Sequence, residues 1–101
     1  MVEVYLTTKN YQAALNSIDK IKHPSTKILE AKQDILFQLG TQAFTNMELD
    51  KSVDFFSRAI SLGAYNLESR NDAYFWRGES YYRQGEYNKA ISDYRTYLNN
   101  T

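Results

Sequence analysis

The sequence predicts an all-α fold, a stack of antiparallel helical hairpins. Three observations carry that expectation. The chain aligns with itself at one constant offset, the one that lays Gly40 on Gly78, and each aligned column keeps one physical type. Within each unit the apolar residues recur three and four apart, the spacing of one helix face, and no segment sustains the alternation of a half-buried strand. Finally, the 101 residues include only four Gly and one Pro, against an aromatic share of 15% with nine Tyr. Few breakers and many large rings suit long, packed helices.

The columns sort by size. Tyr11, Leu49 and Tyr87 align, then Ala14, Ser52 and Ala90, then Leu15, Val53 and Ile91. Ile18, Phe56 and Tyr94 share the next column, and Lys22, Ile60 and Leu98 another. Upstream, Val2, Gly40 and Gly78 form a column, as do Leu6, Phe44 and Tyr82. Small residues face large ones in register. Gly40 and Gly78 therefore mark places where two backbones approach too closely for a Cβ.

The elements follow in order. The first unit, 1–22, is partial: a helix is expected near 2–8, carrying Val2, Tyr5 and Leu6, and another near 10–22. Pro24-Ser25-Thr26 closes it and opens the second unit, 26–62, with Ser25 or Thr26 as cap. Helices near 26–45 and 48–62 are separated by Thr45-Asn46-Met47-Glu48, where Asn46 suits a cap. Gly63 sits where a C-terminal glycine belongs. The third unit, 69–99, opens on Ser69-Arg70-Asn71-Asp72 with capping-box spacing. Its helices near 69–83 and 86–99 flank Arg83-Gln84-Gly85-Glu86, in which Gly85 supplies a left-handed turn.

Composition excludes several functions. Twelve basic and twelve acidic residues leave zero formal charge, which removes the usual electrostatic case for a nucleic-acid or anionic-membrane binder. Without Cys there is no disulfide framework, thiolate metal site or Cys nucleophile. The one His, His23, precedes Pro24 in a loop with no nucleophile motif beside it. Asp50-Lys51 and Asp54-Arg58 read as solvated helix-face pairs, and Glu48-Asp50-Asp54 is a poor calcium arrangement. No Gly-rich phosphate loop is present. Neither an enzyme nor a metal or cofactor site is expected.

The run from Ala73 to Ile91 resembles a tetratricopeptide repeat: Tyr74, Gly78, Tyr81, Ala90 and Tyr94 occupy the motif positions, and Gly85-Glu86-Tyr87 matches its turn. Leu36, Leu39, Gly40, Ser52, Phe56 and Ala59 carry the likeness in the middle unit, and Tyr5, Ala14 and Ile18 in the first. The resemblance implies a right-handed superhelix of about 2.7 units. Departures are visible. The period exceeds the family's roughly 34 residues, the closing Pro is missing after Ala59, and Arg77 and Tyr97 stand where Leu and a small residue are expected. The run Tyr74–Tyr82 further resembles repeats of bacterial cell-envelope lipoproteins of the Tol-Pal accessory type, which implies the periplasm or cell envelope, while the absence of Cys is compatible with cytoplasm as well.

The family likeness also implies a concave groove, lined by the first helix of each unit, that takes a peptide or partner helix. By position this set is Asp34, Phe37, Gln38, Thr41, Phe44, Asp72, Phe75, Trp76, Glu79, Tyr82 and Arg83. Phe75, Trp76 and Tyr82 lie off the stripe defined by Gly78 and Tyr81, which the hairpin's own packing uses. Two readings of the rings stay open: partner hot spots, or contacts between neighbouring hairpins. Phe37, Thr41, Phe75 and Glu79 stand where one subclass of the family carries Lys and Asn to clamp a C-terminal carboxylate, so that clamp is absent.

The expectation is a non-catalytic protein-interaction module with a protein or peptide partner, without nucleic acid or membrane insertion. A structural spacer or self-association segment of a longer solenoid, dimerising through exposed repeat ends, is the alternative. A length of 101 residues is not a whole number of periods, and the chain is expected to be an excerpt of a longer array.

Overall fold

The computed structural model describes residues 10–100. Among them are five helices and no strand: α1 (Tyr11–Asp19), α2 (Thr26–Thr45), α3 (Leu49–Ser61), α4 (Leu67–Gln84) and α5 (Tyr87–Asn99). The helix expected near 2–8, with Val2, Tyr5 and Leu6, lies outside the described residues. None of the described helices is long and apolar enough to cross a membrane.

Local chemistry sets the boundaries. α1 stops at Asp19 rather than 22, because the N–H groups of Lys20 and Ile21 turn to the carbonyls of Ser17 and Ile18 and tighten the last turn. His23, before Pro24, is then biased away from helix. Ser25 caps α2 by accepting from the Ile28 N–H at 3.3 Å. α4 begins earlier than its Ser69 signal suggests: Asn66 is the cap, accepting from the Ser69 N–H at 3.1 Å. Ser69 stands inside the helix instead.

Both hairpin turns share one design. Gly85 adopts a left-handed φ of 83°, and the Gly85 and Glu86 N–H groups bond Tyr82 O and Tyr81 O at 3.0 and 2.8 Å. In the preceding hairpin Met47 and Glu48 make the same bonds to Phe44 O and Ala43 O, at 3.0 and 2.8 Å. Asn46 is the C-cap, and Met47, exposed, takes the left-handed conformation at φ 63°. The repeat thus imposes a glycine geometry on a methionine, at a cost of about 1–2 kcal/mol.

α2 pairs with α3 and α4 with α5, while α4 also lies against α3 and α2. Leu15, Ile35, Leu36, Leu39, Phe56, Ala59, Ile60 and Ala73 form one buried cluster across α1 to α4. The expected glycines are close-approach sites, but what approaches is a ring: at Gly40 it is side chain alone, and at Gly78 the Ala90 carbonyl also comes within 3.3 Å of a Cβ. A Cβ on Gly40 would stand 2.5 Å from the fully buried Phe56 ring, and one on Gly78 would stand 2.9 Å from the Tyr94 ring.

Polar groups fix the stacking of one hairpin on the next. Fully buried Gln33 donates to Ala59 O and Gly63 O at 2.7 and 2.6 Å, and its carbonyl accepts from the Tyr65 and Asn66 N–H groups. One side chain of α2 thereby holds the whole connection from α3 to α4. Ser52 and Ser80 share a buried hydrogen bond of 2.7 Å between α3 and α4.

Candidate partner-binding groove

α2 and α4, the first helices of successive hairpins, run side by side and join through their groove-side residues. Asp34 Oδ1 accepts from Ser69 Oγ across the gap at 3.0 Å. Further along, the Phe44 ring meets Trp76 edge-on at 5.4 Å, and the Arg83 guanidinium lies 5.1 Å from the Phe44 ring. Trp76 contacts Phe75 edge-on at 5.4 Å, and Phe75 leans on Tyr97 and Tyr94 of α5 at 5.2 and 5.9 Å. A continuous aromatic seam therefore runs from α2 through α4 to α5.

This seam corrects one expectation. Phe75 and Trp76 are half-buried and take part in packing, Trp76 against the core cluster and Phe75 against the second helix of its own hairpin. The stripe through Gly78 and Tyr81 leaves both of them out. In the structure the large rings at 94 and 97 extend α5 sideways to reach Phe75. Tyr82 differs: it is 57% exposed and touches only the Tyr87 ring among the described aromatic pairs, at 5.3 Å.

The other groove positions divide. Gln38 and Thr41 hold local bonds, Gln38 Nε2 to Asp34 Oδ1 at 3.5 Å and Thr41 Oγ1 to Gln38 O at 2.8 Å. Phe37 turns toward its own hairpin, 5.8 Å from Phe56 and against the core. Glu79 accepts from the Tyr94 hydroxyl at 2.6 Å. Burial, and then that carboxylate, push the Tyr94 phenol well above its ordinary range. Burial also raises the Asp72 carboxyl, with the Glu68 charge adding to it. Glu79, Tyr82, Arg83 and Tyr94 line an open hollow of about 500 Å³.

Sequence reasoning missed the polar ties that hold this surface. Arg77, at a position where the family pattern has Leu, forms a two-point ion pair with buried Asp93, Nε to Oδ2 at 2.7 Å and Nη2 to Oδ1 at 2.8 Å. Its Nη1 reaches Ser57 Oγ at 3.1 Å, and the guanidinium lies 5.6 Å from the Tyr74 ring and 5.8 Å from Tyr81. The bond to Asp93 drives the Arg77 group further up from its already high range, against the effect of burial. A signal was present in the repeat: Asp93 shares its column with Phe55, an acid in an apolar place beside a basic departure.

The motif positions now have their geometry: Gly78 against Tyr94 and Ala90, Tyr81 on the same helix, and Gly85 in the turn. Residues 71–100 match the family model described as tetratricopeptide repeat. The chain carries a tetratricopeptide repeat. No curated protein and no solved structure matches the chain significantly. The matched repeat is α5 and nearly all of α4, and the α2–α3 hairpin reproduces its turn and its glycine contact one period earlier. The fold is an all-α tetratricopeptide-type helical repeat.

Proposed function

We propose that this chain is a non-catalytic protein-interaction module whose α2–α4 face binds a peptide or a partner helix. The observation that carries the reading is Tyr82. It is a large ring left mostly in water beside Arg83, and it lines a hollow of about 500 Å³ together with Tyr94, one of the packed rings of the seam. Aromatic and arginine side chains so placed are the usual anchors of protein interfaces. Phe75, Trp76 and Phe44 give that face a stiff floor, while Asp34, Asp72, Glu79 and Arg83 set the register of the bound segment. Phe37, Gln38 and Thr41 complete the α2 wall.

Capture of partners by the intact chain, compared with Tyr82→Ala, tests this. Capture is expected to fall while the melting temperature holds. Trp76→Ala is a weaker probe, because Trp76 also packs on the core.

A second reading, a spacer or self-association segment of a longer solenoid in a bacterial cell-envelope protein, has one observation in its favour. Gln33 makes four hydrogen bonds, but Asn71, its counterpart one period later, keeps a buried Oδ1 without a partner. Likewise Phe56 and Ala59 are fully buried, whereas their counterparts Tyr94 and Tyr97 are half-exposed and Ile91 is exposed. A further helix on α5 would complete both. Light scattering separates the readings: a dimer lost in Ile91→Ser supports the second, and a monomer that captures partners supports the first.

A further inference from the structure

The first helices carry their charges on opposite sides. At about 100° per residue, Glu68, Asp72, Glu79 and Arg83 follow one stripe of α4, beside Phe75 and Trp76, while Arg70 and Arg77 follow the other. Both of those arginines are held on their own side, Arg70 Nε by Ile60 O at 3.0 Å and Arg77 by Asp93 at 2.7 Å. α2 repeats the arrangement. Glu30 and Asp34 share their columns with Glu68 and Asp72, and Lys32, the counterpart of Arg70, turns away to Asp19 at 3.0 Å.

The groove side is left with carboxylates. No ion pair among the described residues engages Glu30, Asp34, Glu68, Asp72 or Glu79. Cations stand only at its two ends, Lys27 in the first turn of α2 and Arg83 in the last turn of α4. The helix dipole accounts for an acid in a first turn, such as Glu68. It does not account for Asp34, Asp72 or Glu79, which lie deeper in their helices.

We infer that the groove takes a cationic amphipathic segment, whose Lys or Arg side chains meet Asp34 and Asp72 while its apolar side chains cover Tyr82 and the seam beside it. This rests on the interaction reading above, and charge complementarity selects the occupant. Lys27 and Arg83, one at each end, favour the segment's cations toward the middle of the groove, where Asp34 and Asp72 lie. Asp72 gains most from the incoming cation, because burial and Glu68 already disfavour its charge. Lys ammonium and Arg guanidinium groups are also attracted to exposed tyrosine faces.

Two short amphipathic peptides, one of Lys and Leu and one of Glu and Leu in the same order, provide the test. Quenching of Trp76, the single tryptophan, and anisotropy of the labelled peptides report binding. The Lys peptide is expected to bind at least about tenfold more tightly than the Glu peptide, an advantage that shrinks with added salt. Asp34→Asn with Asp72→Asn is expected to remove most of it while the circular dichroism of the helices is retained. Equal or tighter binding of the Glu peptide overturns the inference and leaves the groove standing. So does Lys-peptide binding that Tyr82→Ala weakens and the paired Asn variants do not. Absence of binding by either peptide overturns the inference, whereas the interaction reading then still stands or falls on Tyr82→Ala capture.

Discussion

Arg77 and Asp93 lock the two helices of the last hairpin together, through parallel bonds of 2.7 and 2.8 Å on a carboxylate that is almost fully buried. The pair replaces an apolar contact with one that works only when both partners are present. Removing the cation strands a buried charge. Arg77→Leu, which restores the residue common in the family, is therefore expected to cost about 3–5 kcal/mol. The double variant Arg77→Leu with Asp93→Leu is expected to return to within about 1 kcal/mol of the parent. Urea unfolding of the three proteins checks this, and additive losses would show that the pair is not coupled.

Gln33 offers a second probe of how the hairpins are joined. Gln33→Leu keeps the volume but leaves two carbonyls and two N–H groups at the α3–α4 connection without their partner. The expected loss is about 3 kcal/mol or more. Hydrogen exchange is expected to quicken at the Tyr65 and Asn66 amides before it changes at the centre of α2.

The aligned glycines are not equivalent. A methyl on Gly40 meets the fully buried Phe56 ring at 2.5 Å, while one on Gly78 meets the half-exposed Tyr94 ring at 2.9 Å and the Ala90 carbonyl at 3.3 Å, a milder clash. Gly40→Ala is expected to destabilise by about 1–3 kcal/mol net of the better helix propensity. Gly78→Ala is expected to fall within about 1 kcal/mol of the parent, because propensity offsets the smaller clash. Thermal melts of both variants decide it.

Most of the fold was legible because a helical hairpin declares itself locally. Apolar spacing, Gly85 and the Gly40 and Gly78 columns determine helices, turn and close approach without reference to distant residues. Contacts over long sequence separations were not legible. Gln33 looks like a surface amide until the α3–α4 connection folds over it, and Arg77 looks like a misfit until Asp93 arrives from α5. The candidate residues were chosen by position, but their division into packed rings (Phe37, Phe75, Trp76) and an exposed one (Tyr82) depends on the size of Tyr94 and Tyr97. Period and propensity carry no information on that.

Asp72 links stability to the groove. Its carboxyl is raised from an ordinary value of 3.8, by burial first and by Glu68 second, so the folded state favours the neutral form. The stability this contributes is fully present below pH 3.8 and is lost as pH rises through the higher folded value. Asp72→Asn is accordingly expected to raise the melting temperature at about pH 7, with the gain vanishing near about pH 3. A gain of equal size at both pH values would remove the charge from the explanation.

The most direct measurement of the groove is partner affinity in Tyr82→Ala beside Ile91→Ser, with melting temperatures recorded for both. Tyr82 lies near the C-terminal end of α4 and Ile91 on α5, and both are exposed. A functional groove predicts that Tyr82→Ala loses about tenfold or more in affinity at unchanged melting temperature while Ile91→Ser binds as the parent does. Undiminished binding by Tyr82→Ala, with loss in Ile91→Ser, would contradict it and move the interaction surface to α5.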